Sequence, residues 1–107
     1  MAFYIKQNDT EPTFQAGLLD SDGFPVDLTS ATAVRFHMRD ASGTVIVDQP
    51  MAIITAASGV VQYDWIAADT QTAGSFQVEV EVTYLGGSIE TFPNNGYEEV
   101  IITDDIA

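Results

Sequence analysis

The residues that could perform catalysis are few, and the sequence does not bring them together. His37 is the only histidine, so a Ser-His-Asp triad would need it as the base, and a zinc site would have one imidazole to use. It alternates with Arg35 and Arg39 along a predicted strand, which places it on a solvent-facing side. Glu98 and Glu99 are adjacent, so on a strand their carboxylates point to opposite faces. We therefore expect no enzymatic activity.

A metal or cofactor site is equally poorly supported. The stretch Asp20-Ser21-Asp22-Gly23 could begin a calcium loop, but Ala31 stands where the closing glutamate of that loop would be. Asp and Gly are also the residues that turns prefer, and we favour a turn. The chain has no cysteine, which excludes thiolate ligands, and it has no glycine-rich phosphate loop. The sequence predicts no cofactor and no metal.

The charge balance limits the possible partners. Sixteen Asp and Glu oppose three Lys and Arg, for a net charge of -13. Affinity for nucleic acid depends mainly on cations that neutralise phosphates, so we expect no nucleic-acid partner. Two interpretations of the acid remain open: it keeps the protein soluble, or it faces a basic or cation-bridged neighbour.

Length and hydropathy predict one globular domain over residues 1–107. The chain has 107 residues, 46% of them hydrophobic, which suits a single core. No apolar run approaches the roughly 20 residues that a membrane span needs, so no membrane insertion is expected. The beginning of the sequence has no basic segment followed by a long apolar stretch, and we expect no secretion signal.

The longest alternating run, between Gly74 and Pro93, predicts a β-hairpin around which the other strands are arranged. Apolar side chains recur at a spacing of two, which is the pattern of a half-buried strand: Phe76, Val78, Val80, Val82 and Tyr84. The glycines of Leu85-Gly86-Gly87 suit a tight connection, and Ser88 to Phe92 then returns. One hairpin cannot bury this face alone, so other strands must cover it.

The remaining chain predicts about eight or nine short strands in an antiparallel, immunoglobulin-like β-sandwich. Gln49-Pro50 is expected to interrupt the strands, and the segment from Ala67 to Gly74 to contain a single helical turn that crosses between sheets. Arg35 and Arg39 are expected to face Glu79 and Glu81, either across neighbouring strands or on a shared outer sheet. The predicted core contains Phe36, Trp65, Phe76, Val78, Val80 and Val82.

Several short motifs, taken in order, resemble a known family. They are Asp27-Leu28-Thr29 before the first long strand, Asp69-Thr70 with Ala73-Gly74 before the organising strand, and Thr91-Phe92-Pro93 before the last loop. In this order, and along nearly the whole chain, they resemble the immunoglobulin-like N-terminal domain of bacteriophage baseplate upper proteins.

This resemblance implies a virion structural protein without catalytic activity. Its partners would be other phage structural proteins, copies of itself included, and its place would be the tail, the baseplate or a decorated capsid. Loops are the expected docking sites. The candidate residues are Asp20, Asp22, Gly23, Phe24, Asp40, Gly43, Pro93, Asn94, Asn95 and Gly96.

A carbohydrate-binding or adhesin-like module is the alternative. Sandwich folds host many unrelated functions, so the fold does not decide between the two. The signature of such a module would be a platform of exposed aromatic side chains. The candidates for that platform are Tyr4, Phe92 and Tyr97, and packing in the core or at a strand end explains each of them as easily.

Overall fold

A computed structural model describes residues 2–106, which contain nine β-strands and two short 3-10 turns, Ala56–Ser58 and Ala67–Thr70. The predicted number of strands is confirmed. The strands are β1 Ala2–Lys6, β2 Phe14–Gly17, β3 Ala31–Arg39, β4 Val45–Pro50, β5 Ala52–Thr55, β6 Val60–Tyr63, β7 Gly74–Tyr84, β8 Ile89–Phe92 and β9 Glu98–Thr103.

The strands form two sheets that pack as a β-sandwich. The six-stranded sheet has the order β1-β9-β7-β3-β4, with β8 also on β7, and the three-stranded sheet has the order β2-β6-β5. The sandwich prediction is confirmed. A wholly antiparallel arrangement is wrong, because β1 pairs with β9 in parallel, which a connection through the rest of the chain allows.

The predicted hairpin is present, and its return strand is divided in two. Both β8 and β9 run antiparallel to β7 along the same side: Val80 pairs with Phe92, and Val78 pairs with Glu98. Glu79 alone therefore lies opposite the segment 93–97, which leaves the sheet as an irregular loop. This extreme bulge places a loop halfway along the longest strand.

The core follows the predicted alternation. The four inward residues of β7 from Phe76 to Val82 are at most 4% exposed, whereas Tyr84 at its end is half-buried. Burying each large apolar side chain stabilises the fold by about 1.5–3 kcal/mol before ordering costs. All six predicted core residues are buried: Phe36, Trp65, Phe76, Val78, Val80 and Val82.

Aromatic side chains join the two sheets at the centre. Phe36 of β3 stacks on Tyr63 of β6, with ring centroids 4.4 Å apart. Trp65 meets Phe36 edge-on at 5.4 Å, and Phe14 of β2 lies 5.2 Å from the same ring. Such pairs add about 0.5–1.5 kcal/mol beyond buried area. Phe36 therefore contacts aromatic side chains of both β2 and β6 across the space between the sheets.

The connections between the sheets differ from one another. The predicted helical turn between β6 and β7 is confirmed as Ala67–Thr70. The predicted interruption at Gln49-Pro50 is wrong, because both residues still belong to β4 and Pro50 lies opposite Arg35. The chain changes sheets at buried Met51 instead. Proline is tolerated there because β4 is an edge strand.

A buried polar contact holds the turn that follows β6. Tyr63 Oη donates a hydrogen bond of 2.6 Å to Asp69 Oδ2, and the backbone N–H of Ile66 donates to the same oxygen at 3.1 Å. Burial, together with the bond to Asp69, raises the pKa of Tyr63 well above its usual value. The fold therefore keeps this hydroxyl protonated.

The outer surface of the six-stranded sheet carries the basic residues, in part as predicted. Arg35 lies opposite Glu81, which confirms the shared surface, but Arg39 lies opposite Gln77 and donates to its Oε1 at 2.6 Å. Arg35 Nε forms its ion pair with Asp48 Oδ1, at 2.8 Å. The predicted sharing of one outer sheet by the two stripes is therefore confirmed, although the register places Gln77, not a glutamate, directly opposite Arg39.

Candidate functional site

An open groove of about 670 Å³ lies between the two sheets and is here named the β2 groove. One wall is β2 with the residues that follow it to Ser21, and the other is formed by Ala2, Phe3 and parts of the segment 92–99. Its floor includes Val78 and Val80 of β7. Both valines are almost fully buried, so the exposed apolar surface of the groove belongs to Phe3, Ala16, Leu19 and Pro93.

The exposed edge of β2 runs along this groove. Leu18 N–H donates to Gly59 O at 2.8 Å, and β2 pairs with β6 from Phe14 to Gly17. In an antiparallel pair, alternate residues direct both backbone groups at the partner. Gln15 and Gly17 therefore direct theirs away from β6, and no backbone partner within residues 2–106 meets them on that side.

The rim of the groove is polar and acidic. Asp20, Glu98 and Glu99 line it, and no Lys, Arg or His is among the lining residues within the described chain. Glu98 pairs with inward-facing Val78, so its side chain lies on the inner face of the sheet, at the groove. Carboxylates beside an apolar floor favour an apolar ligand with cationic groups.

Two of the predicted docking loops are turns of identical design. Asp20 Oδ1 accepts hydrogen bonds from the N–H groups of Asp22 and Phe24, at 2.9 and 3.0 Å. Asp40 Oδ1 accepts from the N–H groups of Ser42 and Thr44, both at 3.0 Å. The carboxylates thus cap their own turns, as Asp side chains commonly do. The prediction of a turn at Asp20 is confirmed.

In the second turn, the bonds also change the acidity of the carboxyl group. The hydroxyl of Ser42 donates to Asp40 Oδ1 at 2.7 Å. This bond, with those from the backbone, lowers the pKa of Asp40. Within residues 2–106, no three His, Asp or Glu residues are placed to hold a metal ion.

The structure brings two of the three predicted loops to one site. Asp20 and Ser21 line the β2 groove together with Pro93, Asn94 and Asn95. The rest of these two loops, Asp22, Gly23, Phe24 and Gly96, is exposed beyond the lining. Asp40 instead lines a separate cavity of about 320 Å³ beside the turn at Ala67–Thr70, and Gly43 is exposed in its hairpin. Whether any of these residues docks a partner stays a prediction.

Sequence reasoning missed β2 as part of the site. The strand is only four residues long, Phe14–Gly17, and its sequence resembles that of any short strand. Its position at the edge of a sheet depends on long-range pairing, which alternation does not report. Its one signal was Gly17, since glycine inside a strand often marks a close approach of another backbone.

The predicted aromatic platform is not formed as expected. Tyr4 and Tyr97 are 64% and 50% exposed, but Phe92 is 3% exposed and belongs to the core. Of the two interpretations of Phe92, core packing is confirmed, because this residue lies opposite Val80 on the inner face of the sheet.

His37 lies in an ion-pair cluster on the outer surface. Its Nε2 is 3.0 Å from Asp48 Oδ1, the oxygen that also accepts a bond from Arg35 Nε. The bond from Arg35, followed by the charge of His37, lowers the pKa of Asp48. The cluster lies on β3 and β4, which are not among the elements that line the β2 groove.

The opposite edge of the three-stranded sheet is apolar. Ile53 and Ile54 of β5 are 38% and 50% exposed, and every residue of this strand is exposed. Apolar edge strands readily pair with other chains. The three-stranded sheet therefore has two free edges of different chemistry.

Comparison with known proteins identifies the fold and the family. The crystal structure of CopC from Methylosinus trichosporium OB3b is similar, with a TM-score of 0.55 and 12% sequence identity, over 99% of this chain and 87% of that one. At this identity the likeness shows the fold alone. No curated protein matches the chain. In the described residues, no helix is long and apolar enough to cross a membrane.

A family model gives the more specific result. The model of the BppU N-terminal domain matches residues 3–96, which include β1 from Phe3 onward and all of β2 to β8. The match confirms the resemblance to baseplate upper proteins. The chain therefore belongs to the BppU N-terminal domain family, whose members are structural domains of the phage baseplate.

Proposed function

We propose that this domain is a non-catalytic docking module, which holds neighbouring virion proteins through the loops and free edges of its sandwich. The observation that carries the proposal is the β2 groove, where two predicted docking loops meet beside an unpaired strand edge. Exposed apolar depressions with a polar rim are typical of protein interaction sites. The immunoglobulin-like subclass of the sandwich and the inclusion of copies of itself among the partners stay predictions.

Zero-length carbodiimide cross-linking of purified phage particles tests this function. The chain has sixteen carboxylates and only three Lys and Arg, so coupling its acids to lysines of neighbours gives far better coverage than a lysine-specific reagent. We expect peptides of this chain to be joined to other virion proteins. If the chain is found free in infected cells and absent from particles, the proposal is wrong.

The same docking model predicts a dependence on salt. With a net charge of -13, binding to a basic neighbour should weaken as ionic strength rises, because exposed charges are screened over about 8 Å at physiological salt.

A glycan array tests the alternative of carbohydrate binding, for which Tyr4 and Tyr97 supply exposed rings. Binding of a defined glycan, together with absence from particles, would favour that alternative.

A further inference from the structure

We infer that the β2 groove binds an extended segment of a neighbouring polypeptide, which pairs with β2 as an added strand. The segment would place alternate apolar side chains on the groove floor and lysine or arginine side chains over the acidic rim. This inference rests on the proposed docking function and gives it a site, a binding mode and a partner chemistry.

The backbone of β2 supplies the first part of the argument. Gln15 and Gly17 direct their N–H and C=O groups away from β6 and into the groove wall. Strand addition uses such groups for affinity and alternate pockets for specificity. Because β2 is four residues long, only a short segment is needed.

The floor of the groove supplies the second part. Ala16 and Leu19 line it from β2 and the residues that follow, and Phe3 lies on the opposite wall. Leu19 is 51% exposed, and Ala16 and Phe3 are partly exposed. An added strand alternates its side chains between two faces. One face would therefore cover these apolar residues, and the other would remain in solvent.

The charges select the partner. Asp20 and Glu98 line the groove from opposite walls, and the described lining residues include no cation. A strand with acidic ends would be repelled, whereas lysine or arginine at its ends would lie near carboxylates. The occupant is therefore an apolar segment with basic ends.

A synthetic peptide tests the inference directly. The probe is a labelled seven-residue peptide in which valine and threonine alternate between terminal lysines, titrated with the full chain and followed by fluorescence anisotropy. We expect saturable binding. A peptide with glutamate at both ends should bind more weakly, and a peptide with N-methyl groups on the edge that faces β2 should lose about 3- to 10-fold in affinity.

Two variants locate the binding site on the protein. Gly17→Pro removes an N–H group that β6 does not use, and a Cβ atom at this position meets nothing within 4 Å; we expect a loss of about 3- to 10-fold. Glu98→Lys changes an exposed side chain and should reduce affinity by up to about fivefold. Ile54→Lys, on the other edge, is the matched control and should bind as the wild type does.

The outcomes separate this inference from the proposed function. If the lysine-ended peptide does not bind at about 1 mM, or if folded Gly17→Pro and Glu98→Lys both bind it unchanged, strand addition at β2 is wrong. In cross-linked particles, links from Asp20 or Glu98 support the groove. Links confined to Glu79 and Glu81 would overturn the inference and leave the docking function intact. Absence from particles would overturn the docking function itself.

Discussion

The two edge strands of the three-stranded sheet, β2 and β5, both pair with β6, but they are integrated into the fold very differently. Phe14 of β2 is 6% exposed and belongs to the aromatic cluster, whereas Ile53 and Ile54 of β5 are 38% and 50% exposed. The same pairing partner thus supports one edge that is part of the core and one that lies largely outside it. The difference teaches that strand pairing alone does not say what an edge contributes to stability.

The largest expected effect contrasts these two edges by truncation. Phe14→Ala should lower the free energy of unfolding by about 3–5 kcal/mol, because it leaves a cavity among Phe3, Phe36 and Trp65. Ile54→Ala should cost less than about 1 kcal/mol, since half of its side chain is already in water. Urea unfolding measures both. Equal losses would show that β5 is as much a part of the core as β2.

The next effect concerns the attachment of β2 at its end. Gly59 has φ +68°, and an added Cβ would lie 2.6 Å from Val26 O and 3.0 Å from Leu18 O. Gly59→Ala should therefore cost about 2–5 kcal/mol, from left-handed strain together with overpacking. Gly43→Ala is the control: φ is +91° and nothing lies within 4 Å, so only about 1–2 kcal/mol is expected. Similar losses in thermal unfolding would contradict the close packing at Gly59.

A smaller effect depends on pH and concerns the hydroxyl groups of two tyrosines, Tyr63 of β6 and Tyr84 of β7. Burial and the bond to Glu90 raise the pKa of Tyr84 to about 12, and the pKa of Tyr63 is raised in the same direction. The folded state holds these protons more tightly than the unfolded state. This stabilisation is therefore complete below about pH 10 and is lost as the pH rises through the folded pKa values.

Urea unfolding between pH 7 and 11.5 measures this loss. Tyr63→Phe should be less stable at pH 7 by about 1.5–3 kcal/mol, because its hydroxyl donates to a buried carboxylate, and its stability should fall less steeply above pH 10. Tyr97→Phe, at an exposed position, should follow the wild type. An unchanged alkaline slope in Tyr63→Phe would argue against the role of this hydroxyl.

The smallest effect on stability is expected from a charge on the apolar edge. Ile54→Lys should change the free energy of unfolding by less than about 0.5 kcal/mol. If the wild type self-associates through this edge, the variant should do so less, because lysine on an edge strand opposes pairing between chains. Sedimentation velocity across a concentration series measures this. Gln15→Lys is the matched change on β2, and an equal reduction there would remove the contrast between the edges.

Much of the fold could be predicted because alternation is a local property. The period of two in β7 identified its buried face, and the glycines at 86 and 87 do adopt positive φ in the hairpin turn. Pro50 was misjudged because proline suggested a break, whereas its pairing opposite Arg35 keeps it in β4. Two interpretations of Phe92 stayed open, and its pairing with Val80 decided between them. The β2 groove exists only where both sheets meet, so apart from Gly17 no local pattern indicated it.

The segment 93–97 has a consequence for engineering and for divergence within the family. It leaves the sheet opposite a single residue of β7 and rejoins it with the register intact on either side. Extra residues there lengthen a loop whose closure entropy grows only slowly with length. This loop is therefore the place where the domain can accept inserted sequence, such as an affinity tag or a fluorophore site, directly beside the groove and without shifting a strand.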